Sequence, residues 1–388
     1  MHVNLEQRKF VVPEIIIGLD ASLLIGRYLG HFGATKAMIV TDKGVSDFDW
    51  FRAILSSIKE AGIAVVIFDD ISSNPKDFEA MLGAELFLAE NCDSLVAIGG
   101  GSPMDCAKCI SIVSTNGGHV LDYIGVDEIR LPGPPLLCVP TTSGTSADVS
   151  QFAIITDTHE HIKKAIISKK VVPDLALIDP KPLMTMDPYL TACTGMDALT
   201  HAIEAYVSNA ASALTDVHAL KAIDLVHKNL IDAVKPDRTL ETMHNMLLGS
   251  LHAGFAFSNA SLGAVHACAH ALGGVMDLPH GECNSILLQR IIAMNFDSAA
   301  ERYREIASIL GIPVHNLDNE GVKLALVGEI AALRTAVGIG ELIGQTIPEH
   351  ETIEAMALSA LSDPCMVTNP KTINLSELRE LYVGLFKA

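Results

Sequence analysis

Two short spacings along the chain have the form that a metal site needs. Asp197 and His201 stand four residues apart in GMDALTH, and His266 and His270 repeat the interval in HACAH. On a helix, positions i and i+4 share a face, near enough for one ion to take ligands from both. His280 follows Pro279 and precedes Gly281, a context that reads as a loop. The surroundings are apolar: from Thr242 to Met276, 35 residues pass without Asp, Glu, Lys or Arg. A carboxylate such as Asp197 is expensive to bury without a partner, and a divalent cation would be one. Spacing leaves five candidate ligands, Asp197, His201, His266, His270 and His280, and does not say which is spare. Eight of the fifteen histidines fall between 201 and 280. The isolated ones, His218, His227, His244 and His252, read as ordinary hydrogen-bonded residues.

A second chemistry is written earlier. The apolar run SLVAI leads directly into Gly99, Gly100, Gly101 and Ser102. Glycines let a backbone turn tightly and approach a ligand. Ser102 as cap, Pro103 in the first turn and Asp105 as the acid of a capping box predict a helix start there, and such a start attracts phosphate. Neither GxGxxG nor GxxxxGK[ST] is present. Asp42 follows the run AMIVT, where an acid can accept from ribose hydroxyls and repel a 2′-phosphate. Thr141 and Thr142 open a third polar loop, TTSGTS.

The elements that must carry these groups divide the chain. Candidate strands are Val11–Ile17, Ala37–Thr41, Ala64–Phe68, Ser94–Ile98, Leu136–Val139, Ala153–Thr156 and Leu175–Ile178, with helical patterns near 20–30, 47–61, 76–90 and 103–115. That alternation predicts βαβ units and a parallel sheet. Beyond Asp179 the patterns are helical, near 188–208, 212–232, 240–257, 260–272, 297–309, 319–334 and 351–361. A boundary at 180–187, marked by Pro180, Pro182 and Pro188, gives an α/β domain over 1–184 and an all-helical domain over 185–388. Clefts between domains favour ligands.

Composition narrows the function class. The formal net charge of -19 argues against nucleic acid and anionic membranes. The Thr242–Met276 stretch is long enough to span a bilayer, but its histidines and asparagines point to core helices beside a polar site. The opening MHVNLEQRKF lacks a basic start followed by an apolar run, so no secretory signal is expected. Eight cysteines without framework spacing imply free thiols in a reducing cytoplasm. Cys106 and Cys109 form a CxxC inside a helical pattern and read as two small buried side chains.

The motifs GGGSPMDCAK (99–108), TTSGTSAD (141–148), GMDALTHAIE (195–204), HACAHALGG (266–274) and PHGECN (279–284) together resemble the iron-containing, or group III, alcohol dehydrogenase family, in order and over almost the whole chain. The resemblance implies a nucleotide-binding α/β domain followed by a helical domain. It implies metal ligation by Asp197, His201, His266 and His280, with His270 beside nicotinamide and substrate. It places the pyrophosphate on Gly99, Gly100, Gly101 and Ser102, with Thr141, Thr142 and Lys163 as further cofactor contacts and Asp42 selecting NAD over NADP. Phe152, Phe257 and Cys365 fall where the family lines its substrate pocket. The implied cofactors are NAD and Fe²⁺, with Zn²⁺ as the alternative. The implied reaction interconverts small primary alcohols or diols and their aldehydes, the metal acting as a Lewis acid on the substrate oxygen. A homodimer or larger homo-oligomer is implied as well. Two departures bear on substrate: Asp148 stands where the family usually has Glu, and Asn369-Pro370-Lys371 replaces NPR. Other readings of the cluster are a zinc polyol dehydrogenase, a sugar-phosphate synthase-type lyase, a metallohydrolase and a non-catalytic nucleotide-binding regulator. The lyase would need more basic residues, the hydrolase leaves the glycine turn unused, and a regulator predicts a degraded ligand set.

Overall fold

In the computed structural model, which describes residues 7–160, 162–344 and 347–386, a parallel α/β half is followed by a helical half. The strands are β1 (Glu14–Ile17), β2 (Lys36–Val40), β3 (Ala64–Phe68), β4 (Ser94–Gly99), β5 (Gly125–Val126), β6 (Leu136–Pro140), β7 (Phe152–Asp157), β8 (Ile162–Ile167) and β9 (Leu175–Ile178). Six form one parallel sheet in the order β1-β9-β6-β4-β2-β3, and the others form a small sheet in the order β5-β8-β7. Helices α1 (Ile25–His31), α2 (Asp49–Glu60), α3 (Asp77–Ala89) and α4 (Gly101–Asn116) cover the large sheet. Alternation in β4 sets the layers. Leu95 and Ala97 pack with α3 and α4, while Val96 and Ile98 pack with α1 and α2, so the strand is apolar throughout because both faces are covered.

The connection after β2 leads outward to β3, whereas the connection after β4 leads the other way to β6. The chain therefore reverses between the neighbours β2 and β4. Their carboxyl ends open a crevice of the kind in which open α/β sheets hold ligands. Gly99 pairs with Pro140, which sets the loop after β6 beside the glycine turn after β4.

The helical half contains α5 (Pro188–Val207), α6 (Ala213–Ala233), α7 (Leu240–Ala260), α8 (Ala264–Met276), α9 (His280–Asn295), α10 (Ala300–Ile309), α11 (Asn319–Ala336), α12 (His350–Ser362) and α13 (Leu375–Gly384). Helix α5 is its axis, buried at every residue from Thr191 to Val207. Asp187 starts it by accepting the Tyr189 and Leu190 N–H groups at 2.8 and 3.1 Å, and Pro188 occupies the first turn, where its missing donor costs nothing. The charge-free stretch after Thr242 divides into α7 and α8. No helix among the described residues is long and apolar enough to cross a membrane. All eight cysteines are free and buried, with Cys106 and Cys109 inside α4.

Several elements depart from expectation. The first strand starts at Glu14 because the Asn259 amide claims Val11, accepting its N–H at 2.7 Å and donating to its carbonyl at 3.1 Å. Strand β8, IKKAII, is new; two lysines interrupt its apolar pattern. Helices α9 and α13 are new as well. The helix expected at 260–272 begins at Ala264, after Ser261 takes a left-handed conformation with φ 60°.

Candidate metal centre and cofactor cleft

A single cleft of about 1390 Å³ runs between the carboxyl ends of the strands and the helical half. Asp42, Gly100, Gly101, Ser102, Thr141, Thr142, Lys163 and Phe152 line it from one side, and Asp197, His201, Phe257, His266, His270, His280 and Cys365 from the other. Of the residues that the resemblance assigns to metal, cofactor or substrate, Gly99 alone does not line it. Its part is conformational: φ is +155°, and a Cβ there would collide with the Pro103 ring.

The glycine turn differs from the expected capping. Helix α4 begins at Gly101 with Gly100 as its cap, and no side chain takes its first N–H groups. Ser102 instead donates to the Ser73 carbonyl at 2.6 Å. Pro103 sits third in the helix. Asp105 turns inward to the Ile154 N–H, and burial pushes its carboxyl up to about 6. An uncapped helix start facing a cleft leaves donors and the positive end of the helix dipole for an anion. Asp42 accepts the Val45 N–H at 3.1 Å, and burial raises its carboxyl above the ordinary value. On β8, burial lowers the Lys163 ammonium, partly offset by Cys283, Asp105, Asp277 and Asp197.

Three helices assemble the opposite lip. Asp197 and His201 come from α5, His266 from α8, and His280 from the first residue of α9 rather than from a loop. The Asp197 Oδ1 lies 3.8 Å from His201 Nε2, 3.5 Å from His266 Nε2 and 3.8 Å from His280 Nε2. An ion bonded at roughly 2.0–2.2 Å spaces tetrahedral ligands roughly 3.3–3.6 Å apart; Asp197, His201 and His266 offer ligand atoms that all lie within 4.8 Å of one another, and His280 approaches the same Asp197 oxygen from α9. His270 is engaged elsewhere. Its Nδ1 donates to Asp363 Oδ2 at 2.8 Å, and its ring stacks on His280 with centroids 5.3 Å apart. Cys365, buried, has its sulfur close to both His270 and Asp363.

Each inner imidazole is held by its other nitrogen. His201 Nδ1 donates to the Gly144 carbonyl at 3.2 Å, and His266 Nδ1 donates to Glu204 Oε2 at 2.6 Å. Both contacts leave Nε2 toward the cluster, the arrangement that orients metal-ligating histidines. Glu204 also accepts the Val265 N–H at 2.6 Å and the His266 N–H at 3.3 Å, so it caps α8 while steering its ligand. Phe257 stacks on His201 with centroids 4.2 Å apart, and Phe152 lies 5.8 Å beyond it.

The electrostatics ask for a cation. Burial opposes ionisation of Asp197, but the surrounding imidazoles outweigh it and hold its carboxyl well below the ordinary range. Burial pushes His201 down to about 4 and His280 well down, which keeps both neutral with lone pairs to share. For His266, burial again opposes the charge, yet Asp197 and Glu204 raise it to about 9. A buried carboxylate set among imidazoles that burial keeps neutral is matched by a divalent ion.

Sequence reasoning missed four contributors: Glu204, Gly144, Asn284 and Asp363. Glu204 carried a signal, because it stands seven residues after Asp197 and so on the same face of α5. Three of the four isolated histidines are hydrogen-bonded as expected. His218 and His252 bond each other at 2.9 Å, and His227 bonds Glu329 at 2.8 Å.

Comparison with known proteins gives the same lineage over both halves. Residues 13–180 match the model for iron-containing alcohol dehydrogenase, and residues 191–386 match the C-terminal model of the Fe-containing alcohol dehydrogenase family. The 1,3-propanediol dehydrogenase of Citrobacter freundii is 37% identical over 97% of this chain and 98% of its own length. The NAD-dependent methanol dehydrogenase of Bacillus methanolicus is 36% identical over 96% and 98%. A crystal structure of a 1,3-propanediol oxidoreductase superposes with a TM-score of 0.94 at 36% identity, covering 98% of this chain and 100% of that one. With both halves matched and relatives of this identity aligned end to end, the chain belongs to the iron-containing alcohol dehydrogenase family.

Proposed function

We propose that this protein is an NAD-dependent alcohol dehydrogenase that interconverts small primary alcohols or diols and their aldehydes. The observation that carries the reading is the shared cleft: Asp197 and three histidines converge on it from one side, and an uncapped helix start and Asp42 open onto it from the other. The relatives named for propanediol and methanol support a small substrate, as does the narrow apolar wall of Phe152 and Phe257.

Asp197, His201, His266 and His280 would hold the metal, which when bound supplies a Lewis acid for the substrate oxygen. Fe²⁺ is favoured over Zn²⁺ by the iron-containing lineage; the donor set of one carboxylate and three imidazoles suits either ion. NAD supplies the hydride acceptor. Gly100, Gly101 and Ser102 bring the α4 donors to the pyrophosphate, around the turn that Gly99 makes. Thr141, Thr142 and Lys163 hold the cofactor from the neighbouring loops, and Asp42 repels a 2′-phosphate. Phe257 and Phe152 exclude water from the reacting carbon. Asp363 fixes the His270 ring through Nδ1, which leaves Nε2 to pass the alcohol proton, and Cys365 closes the pocket behind it.

The two functional units span 1–184 and 185–388, supported by the last strand ending at Ile178 and α5 beginning at Pro188. A homodimer or larger assembly is supported by β1, an edge strand that ends on the exposed Ile17 with Leu19 exposed just after it. Free buried thiols support a cytoplasmic setting, and the net charge of -19 supports the exclusion of nucleic acid as a partner. The test is direct. Chelated protein is given Fe²⁺ or Zn²⁺, NAD or NADP, and short alcohols and diols, and nicotinamide reduction is followed. Absence of reduction across that panel would sink the reading.

A further inference from the structure

Beside the four ligands lies a side chain that the reaction scheme does not use. Asn284, one turn after His280 on α9, is fully buried. Its Nδ2 donates to Asp197 Oδ1 at 2.7 Å and lies 3.1 Å from both His266 Nε2 and His280 Nε2. The amide nitrogen thus touches three of the four ligand atoms and sits among them. At its other end, Asn284 Oδ1 is buried with no hydrogen-bond partner. Buried polar atoms are nearly always satisfied, and an exception at a functional site calls for a cause.

We propose that Asn284 is a fifth member of the metal site, whose amide closes the ligand cluster while no cation is bound and turns its oxygen toward the cation when one is. A carboxamide is nearly symmetric in shape and carries a donor at one end and an acceptor at the other. Rotation by half a turn about its last bond therefore exchanges them without moving α9. With the nitrogen inward, donors meet the lone pairs of Asp197 and His280. With the oxygen inward, it would face the Asp197 carboxylate and the His280 lone pair, which is repulsive until a positive ion sits among them. The turn is thereby tied to the arrival of the cation. The orphaned atom moves from oxygen to nitrogen, so it is the gain at the ion that drives the exchange. An amide at this position also adds no charge, leaving Asp197 as the one carboxylate that faces the ion directly.

The proposal rests on the metal reading of this site and is tested apart from turnover. Zn²⁺ affinity is measured by chelator competition, and the melting temperature is read with and without Zn²⁺, for the parent, Asn284→Leu and Asn284→Asp. Leu fills the space without an oxygen and should bind Zn²⁺ at least tenfold more weakly. Asp supplies the oxygen but no donor. It should melt lower than the parent without the ion, yet bind Zn²⁺ at least as tightly and gain more from it. Weakened binding in both variants, or in neither, overturns the proposal. Should Leu not fold, Asp decides alone, and a smaller Zn²⁺-induced gain in melting temperature than the parent's overturns it. A parent that binds no Zn²⁺ brings down the metal reading and this proposal together, whereas a binding parent with the wrong variant pattern brings down this proposal only.

Discussion

Asp148, buried behind the α/β side of the cleft, and Asp363, lining its helical side, are both largely screened from solvent, yet burial pushes the first up to about 6 while the second is held at about 2 by its partners. The difference lies in what the nearest cation is doing. Lys108 is near Asp148, but its ammonium is spent on the Ser150 carbonyl at 3.0 Å, the Ser150 hydroxyl at 3.2 Å and the Phe152 carbonyl at 2.6 Å. Asp363 also pays for burial, but His270 at 2.8 Å and the Cys365 N–H at 2.8 Å more than offset it. The α/β lip is built from backbone groups, hydroxyls and tight turns, and suits a cofactor that brings its own charges. The helical lip is built from carboxylates and imidazoles aimed at a point, which is what holding an ion requires. Damage to the helical lip should therefore be measured in orders of magnitude, and damage to the other lip in specificity and pH dependence.

The largest effect is expected from His266→Ala. It removes a ligand and strands the Asp197 and Glu204 carboxylates without the imidazole between them. Bound metal after gel filtration should be lost, and kcat should fall at least about a thousandfold. Stoichiometric metal in this variant would remove His266 from the ligand set. Next comes Glu204→Gln, which keeps the shape and cap of α8 but weakens the hold on His266 Nδ1. A loss of about 10–100-fold in metal affinity is expected, measured against a chelator. Unchanged affinity would show that packing alone orients the ring.

The contrast between the lips also explains what could be read in advance. The α/β lip follows chain order, so short local signals sufficed: the apolar run before Gly99, the acid after β2, the polar loop after β6. The i, i+4 pair of Asp197 and His201 was visible for the same reason, since both lie on one helix. What could not be read was contact between distant segments. Gly144 and His201 meet only because the loop after β6 docks on α5, and Asp363 reaches His270 from a short turn after α12. His280 looked like a loop residue because Pro279 precedes it, yet it starts a helix. That error hid Asn284, which stands one turn further along α9. The capping box expected at Ser102 failed because Asp105 is drawn to β7, leaving the α4 donors free where a ligand would use them.

A smaller effect belongs to Asp42→Gly. Removing the carboxylate removes its repulsion of a 2′-phosphate while leaving the crevice intact. The ratio of kcat/KM for NADP to that for NAD should rise about tenfold or more. An unchanged ratio would place cofactor choice elsewhere on the lip.

The finest distinction between the lips is the sign of their response to pH. Asp363 has a depressed value, so its contribution is present above about pH 4 and is lost as pH falls toward 2. Asp148 has a raised value, so the folded state binds its proton more tightly than the unfolded chain does. Its effect runs the other way: it favours the fold at low pH, and that advantage is lost as pH rises from about 4 through 6. Asp148→Asn mimics the protonated acid at every pH. Relative to the parent, the variant should gain about 1–2 kcal/mol of stability between pH 5 and pH 8, read from urea midpoints at the two values. A gain of the same size at both would mean that the amide improves packing without any protonation step. A relative loss at pH 8 would mean that Lys108 is paired with Asp148 after all, and the α/β lip would then share the charge logic of the helical one.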